Sequence, residues 1–310
     1  MNITLIGATG FLGSHLASTL LSKGASLHFL GRHAPAGLPP GVRFSEWSSA
    51  SAEPPAAAFT DADVIIHLAG EPVAQRWTPE VKKLIRSSRI DSTRQIVNAL
   101  STQSRRPQVL VNASAVGIYG SRGDEFLDEQ SEPGDDFLAR VVVDWEQAAL
   151  LAESLGIRVV LIRTGLVLGR DGGMLARMLP PFRAGVGGRL GSGKQWMPWI
   201  HLDDWINLVL FAIENTALRG AINATAPNPA TNAQFTRDLA ATVHRPAILP
   251  VPGFVLKMAM GEMAGAILAS ERAIPKVALS TGFQFQFSRL RRALESLLSE
   301  SVEIASARSA

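Results

Sequence analysis

The chain has 310 residues, 46% of them hydrophobic and 18% charged, with a formal net charge of +3. This composition belongs to a folded protein able to bury a sizeable core, and it excludes an intrinsically disordered segment. The complete lack of cysteine rules out disulfides, thiolate catalysis and cysteine-ligated metal or iron–sulfur centres, and the scattered Lys and Arg residues argue against a nucleic-acid partner.

The first element is an apolar strand, NITLI, read as leaving no room for a secretory leader. An amphipathic run, FLGSHLASTLLSKG, predicts a helix, and ASLHFLGR a second strand. A Pro/Ala-rich connection over residues 34–60 holds a short strand at 42–47, and DADVIIHLAG is a buried strand. A helix is predicted over residues 78–101, then the strand PQVLVNASA, a long helix over 136–155 and the strand GIRVVLIRTG. Continuous Val, Ile and Leu strands separated by helices predict an α/β fold: a Rossmann-like, doubly wound parallel sheet covered on both faces. Residues 1–165 form the expected nucleotide-binding core. Residues 166–298 form a smaller C-terminal, substrate-side lobe, except that about 200–225 return to the core, and residues 299–310 read as a frayed tail. The longest apolar stretch, 253–269, is interrupted by Lys257 and Glu262 and is shorter than the about 20 apolar residues of a membrane span. It is read as one helix folded onto the main lobe or serving a homodimer contact, in a cytoplasmic protein with no membrane partner.

The most specific motif is Gly7-Ala8-Thr9-Gly10-Phe11-Leu12-Gly13, between the first strand and the first helix. Gly7 permits a tight turn, Gly10 lets a pyrophosphate approach the backbone, and Gly13 allows close helix–strand packing. The helix start supplies free N–H donors and the positive end of a dipole. Gly7, Thr9, Gly10, Phe11 and Leu12 are therefore candidate cofactor contacts. The second strand ends Leu30-Gly31-Arg32-His33, with no carboxylate to bind a ribose 2′-hydroxyl, whereas Arg32 suits a 2′-phosphate. NADP(H) is the expected cofactor. A near match to a phosphate-binding loop, residues 188–195, lacks the terminal Ser/Thr and is followed by Trp-Met-Pro where a helix should start. It is read as a substrate-side loop, with Lys194, Gln195 and Trp196 facing ligand.

GATGFLG, DADVIIHLAG and PWIHLDD, in that order, resemble the extended short-chain dehydrogenase/reductases. RWTPEVKKLIRSSRIDSTRQIVNAL, NASAVGIYG, DDFLARVVVDWEQAA, RTGLVLGRDGGML and GSGKQWMPWIHLDD are similar to its epimerase-family subfamily, as is the C-terminal run from PVPGFVLKM to STGFQF, the subfamily's appended small domain. The resemblance implies a Rossmann-like fold and NADP(H). It places Leu68, Ala69 and Gly70 beneath the adenosine half of the cofactor and Ser114 near the nicotinamide. It names no substrate.

The superfamily's catalytic Asn, Ser, Tyr and Lys carry over at one position. There is a single tyrosine, Tyr119, and the residue four positions on is Gly123, so no YxxxK exists. The dyad's positions fall at Leu138 and Val142, on a stripe shared with Val141, Trp145, Ala149 and Ala152, and the asparagine's at Arg89. Ser114 and Tyr119 are the catalytic candidates, although an aromatic in a turn such as Tyr119's is more often a packing residue. Arg76, Lys82 and Arg89 are candidate anion contacts or solvated helix faces, and His201 a proton donor or a hydrogen-bonded structural histidine. Asp203 and Asp204 are read as helix caps. Two functions stay open: an NADP(H)-dependent oxidoreductase or epimerase acting on a small carbonyl or hydroxyl compound, and an NADP(H)-binding sensor or partner protein without chemistry.

Overall fold

A computed structural model describes residues 1–50 and 53–307. In chain order the elements are β1 (Asn2–Ile6), α1 (Phe11–Ser22), β2 (Ser26–Gly31), β3 (Arg43–Glu46), β4 (Val64–His67), α2 (Pro79–Ser101) and β5 (Val109–Ala115). Then come β6 (Phe126–Leu127), α3 (Phe137–Leu150), β7 (Arg158–Thr164), β8 (Leu166–Leu168), α4 (Gly173–Arg183), β9 (Trp196–Met197) and β10 (Trp199–His201). The chain continues through α5 (Leu202–Glu214), β11 (Gly220–Ala224), β12 (Ala230–Thr231) and α6 (Asn232–Thr242). It ends with α7 (Gly253–Met260), α8 (Met263–Leu268), β13 (Arg272–Ala273), α9 (Lys276–Ser280) and α10 (Leu290–Ala307).

Seven strands form one sheet in the order β11-β7-β5-β4-β1-β2-β3. The β1 strand pairs in parallel with β2 (Leu5 opposite Phe29) and with β4 (Leu5 opposite Ile66), and β4 pairs in parallel with β5 (Ile66 opposite Val111). The four residues of β4, VIIH, are all buried, as expected of a strand covered on both faces. Strand order runs one way from β1 to β3 and the other way from β4 outward, so the switch point falls between β1 and β4, beyond whose carboxyl ends ligands bind in such sheets.

Two compact units share the chain. The first comprises residues 1–118, 133–163 and 206–222, and the second residues 119–132, 164–205 and 223–310. In the first, Ile65, Leu110 and Leu161 of the sheet pack with Ile96, Val97, Ala149 and Ala152 into one buried cluster. Each large side chain so buried contributes about 1.5–3 kcal/mol, which fixes the angle at which α2 and α3 cross the strands. In the second, Leu175, Leu179 and Phe182 of α4 join Trp199, Phe235, Leu239 and Leu294 in a separate core. Thr231 and Gln234 close a capping box at the start of α6, satisfying two otherwise orphan amides.

The helical expectations need three corrections. Helix 136–155 ends at Leu150 and tightens into a 3-10 turn, Leu151–Leu155, closed by Gly156 in the left-handed region (φ 78°). The single helix expected over 253–269 is broken at Gly261 (φ 61°) into α7 and α8. No residue of α7 is buried, and Phe254 and Met258 stand exposed, so α7 does not fold down as a core helix does. Residues 299–307, expected to fray, continue α10; residues 308–310 lie outside the described residues. No described helix is long and apolar enough to cross a membrane.

A Cβ added at Gly13 would lie 2.1 Å from the Gly7 carbonyl oxygen, whereas one at Gly31 would meet nothing within 4 Å. Gly13→Ala should therefore lower stability by about 3 kcal/mol or more through overpacking, and Gly31→Ala should change it by less than about 0.5 kcal/mol. Denaturant titration of both variants checks the contrast.

Candidate dinucleotide-binding site

The turn after β1 is built by glycine geometry. Gly7 sits at φ 91°, and a Cβ there would come within 2.8 Å of the Ala69 backbone nitrogen. The end of β1 thus lies directly against the end of β4. Gly10 caps α1 without a side-chain hydrogen bond, and the first turn of the helix carries no acidic residue. The Gly10 amide donates to the Gly7 carbonyl (3.2 Å) and the Ser14 amide to the Gly10 carbonyl (2.9 Å). Between them Phe11, Leu12 and Gly13 begin a helix whose opening amides have no intrahelical acceptor. A Cβ at Gly10 would meet only the Gly7 oxygen, at 3.4 Å, so the space above the helix start is open. Arg32, at the end of β2, is exposed and pairs with no carboxylate among the described residues. Thr9 and Gly70 are exposed as well, Leu68 and Ala69 half-buried. These residues fit a phosphorylated dinucleotide: free amides and a dipole for a pyrophosphate, an unpaired guanidinium for one further phosphate.

The carboxyl ends of β5 and β7 hold a buried polar network in the first unit. Ser114 donates to Oε1 of Glu146 at 2.5 Å, and Arg163 grips the same carboxylate with Nε on Oε1 and Nη2 on Oε2, both at 2.9 Å. All three are buried. Glu146 lies on α3 in the i, i+4, i+8 series with Leu138 and Val142, so the face expected to be wholly apolar carries one carboxylate. The lone charges in WEQAA and VVLIRTG were the sequence signal: a cation in an otherwise apolar strand and an anion on an otherwise apolar helix face require each other.

Next to it, His67 at the end of β4 is fully buried. Ser92 gives its only hydrogen to backbone carbonyls (Ser88, 2.6 Å), so it accepts from His67 Nε2 at 3.2 Å. That leaves Nδ1 as a buried acceptor with no partner, and Oδ1 of Asn112, opposite His67 on β5, is likewise unpartnered. Burial, aided by the Arg89 charge, lowers the His67 pKa to about 3, so the ring is neutral. Arg89 is not free for a substrate: Nη1 donates to the carbonyls of Glu71 (3.0 Å) and Ile85 (3.2 Å), and its guanidinium faces the Trp145 ring at 5.2 Å. Burial brings its pKa down to about 10, still charged at neutral pH. Lys82 lies over the rings of Trp77 and Phe137, 6.0 and 5.1 Å from their centroids, while Arg76 is exposed without a partner among the described residues.

In the second unit, Tyr119 is fully buried and its hydroxyl donates to Oδ1 of Asn223 at 2.7 Å. The phenol ties two segments together, and its hydrogen is committed. That is the packing alternative read for this residue. Gln195 is buried and donates to the Leu190 carbonyl at 3.0 Å, bracing its own loop. The indole of Trp196 donates to Asp124 Oδ1 at 2.7 Å and stacks under the Arg272 guanidinium at 4.1 Å. Only Lys194 of this trio is exposed. His201 is the structural histidine: Nδ1 accepts from the Asp203 amide (3.0 Å), Nε2 meets Ser296 (3.2 Å), and the ring stacks on Phe287 at 3.8 Å. Burial lowers its pKa. Asp204 accepts the amides of Gln286 (2.8 Å) and Phe287 (2.9 Å), so it braces a distant segment as well as standing in the first turn of α5. Among the described residues no group of three or more His, Cys, Asp or Glu is placed to hold a metal.

A parallel sheet wound both ways from the β1/β4 edge, with an uncapped helix above a glycine turn, defines a protein of the Rossmann-like class. The chain belongs to the NAD dependent epimerase/dehydratase family, which it matches over residues 3–224, and residues 251–297 match a domain of unknown function, DUF1731. It is 40% identical over 301 residues to the epimerase family protein YfhF of Bacillus subtilis, covering 97% of this chain and 99% of that one. It is also 40% identical over 310 residues to a chloroplastic SDR39U1 homolog of Arabidopsis thaliana (96% and 87% covered). Among solved structures, human epimerase family protein SDR39U1 with NADPH superposes with a TM-score of 0.86 at 32% identity, over 96% of this chain and 99% of that one.

The His67 shift has a definite sign. A histidine that titrates near 6.5 when unfolded and near 3 when folded contributes its full stability above pH 6.5. It then loses up to about 1.4 kcal/mol per pH unit as pH falls toward 3. His67→Asn should flatten this acid limb in urea titrations between pH 6.5 and 4. Tyr119→Phe should lower stability by about 1–3 kcal/mol, because Asn223 Oδ1 loses its buried donor, while NADPH affinity measured by titration stays unchanged.

Proposed function

We propose that this chain binds NADP(H) and is an oxidoreductase or epimerase acting on a small carbonyl or hydroxyl compound. The observation that carries the proposal is the open, uncapped start of α1 with the unpaired Arg32 at the end of the neighbouring strand. The NADPH in the solved human relative supports the same cofactor. Gly7, Thr9, Gly10, Phe11 and Leu12 would hold the pyrophosphate by backbone amides and close approach. Arg32 would grip the 2′-phosphate, Leu68, Ala69 and Gly70 would pass under the adenosine half, and Ser114 would stand at the nicotinamide end. The cofactor, when bound, supplies hydride exchange; the protein supplies orientation and a place for the proton. Of the candidate anion contacts in the first unit, Arg76 is the exposed one without a partner among the described residues, and it would meet an anionic substrate.

A second reading, an NADP(H)-binding sensor, is favoured by one observation. Leu138 and Val142 occupy the positions where the resemblance calls for a phenol and an ammonium, and Leu138 packs near Gly117 as an ordinary apolar side chain.

Arg32→Ala should weaken NADPH binding roughly tenfold to a hundredfold, the worth of a hydrogen bond to a charged group, and leave NADH binding unaltered. Calorimetric titration of both dinucleotides tests this. An unphosphorylated cofactor bound more tightly by the wild type would overturn the proposal.

A further inference from the structure

The Ser114–Glu146–Arg163 network has a direction. A serine hydroxyl owns one hydrogen and two lone pairs, and an ionised carboxylate only accepts. Both Glu146 oxygens are held by the Arg163 fork at 2.9 Å, and the Ser114 hydroxyl lies 2.5 Å from Oε1, so the hydrogen between Ser114 and Glu146 is the serine's own. Turning it away would leave a carboxylate oxygen buried without one of its donors. No described residue donates to Ser114 Oγ. Its donor capacity is filled and its lone pairs are unused.

We propose that Glu146 and Arg163 set the hydrogen-bond polarity of Ser114, so that the group it holds at the end of β5 is a hydroxyl or N–H donor and not a carbonyl oxygen. The inference rests on the preceding reading that Ser114 faces the ligand. A carbonyl oxygen placed against Oγ finds lone pairs where it needs a hydrogen, whereas an alcohol supplies one. Glu146 and Arg163 are positioning residues: they touch Ser114, not the ligand. The substrate side of the reaction that this arrangement favours is the alcohol, with its hydroxyl hydrogen directed at Ser114 and the Ser114 hydrogen directed at Glu146.

The test uses a matched probe pair, cyclohexanol and cyclohexanone, titrated by ligand-observed NMR into the full chain with and without saturating NADP+. Wild type should bind the alcohol roughly tenfold more tightly than the ketone, the ratio that follows from one satisfied against one unsatisfied hydrogen bond. Ser114→Ala should bring the ratio near one. In the double variant Glu146→Leu with Arg163→Met, apolar groups of similar volume replace the buried pair, a change that folded proteins often tolerate. There the freed serine hydrogen should shift the preference toward the ketone. A merely structural ion pair would alter melting but not that ratio. Equal or stronger ketone binding by wild type, no binding of either probe, or an unchanged ratio in a cooperatively melting double variant overturns the proposal. If the double variant does not melt cooperatively, the Ser114→Ala ratio decides. Failure of wild type to bind NADPH in parallel titrations would count against the cofactor reading alone, because the probe ratio is also measured without cofactor.

Discussion

Helix α1 sits so close to the end of β1 that no side chain fits between them at Gly13, where a Cβ would fall 2.1 Å from the Gly7 oxygen. That contact decides where the opening amides of the helix stand and in which direction its dipole points. Gly7, in the left-handed region, carries the chain around so that its backbone rests on Ala69, joining the ends of β1 and β4 at the switch point of the sheet. Three features of the cofactor site depend on this placement: the open space at Gly10, the uncapped amides beyond it and the guanidinium of Arg32 one strand away. Loosening the glycine seat would move the helix outward and disperse the donors, even with every polar residue retained.

The layer between sheet and helices changes character along the strands. Toward their amino ends it is apolar, with Ile65, Leu110 and Leu161 against Ile96, Val97 and Ala149. At their carboxyl ends the same face carries His67, Asn112, Ser114 and Arg163, met from the helices by Ser92, Thr93, Trp145 and Glu146. Buried polar groups cost free energy unless they are paired, and most here are: Trp145 donates to Thr93 at 3.0 Å, and Arg163 holds Glu146 at two points. The exceptions, His67 Nδ1 and Asn112 Oδ1, stand opposite each other on neighbouring strands. Such a layer gives up some packing in exchange for fixed hydrogen-bond directions, which is what a site needs and a core does not.

Helix α3 is complete although it carries no Tyr-Lys pair. Leu138 and Val142 stand on the face that carries Glu146, whose carboxylate lies one turn beyond Val142. The single tyrosine of the chain is spent elsewhere, on Asn223, and the histidine of WIHLDD is locked between the Asp203 amide, Ser296 and Phe287. At the end of β5, Ser114 is held by the Glu146 carboxylate, itself gripped by Arg163.

The alternation of strands and helices, the parallel sheet and the glycine turn were all legible in the amino-acid sequence, because each is a local property: a period, a spacing, a residue type at a turn. Several side chains singled out for ligand contact, among them Arg89, Gln195, Trp196 and His201, turned out to be engaged with partners of their own. Chain position cannot reveal that, since those partners lie 18 residues away for the Glu71 carbonyl that meets Arg89 and 95 away for the Ser296 that meets His201. Glu146 and Arg163 were visible only as isolated charges in apolar runs, 17 residues apart. Their pairing, and the direction it imposes on the Ser114 hydrogen, depends on α3 crossing β5 and β7 at one particular height, and that height is set by the packing of Ile, Val, Leu and Ala side chains across the whole layer.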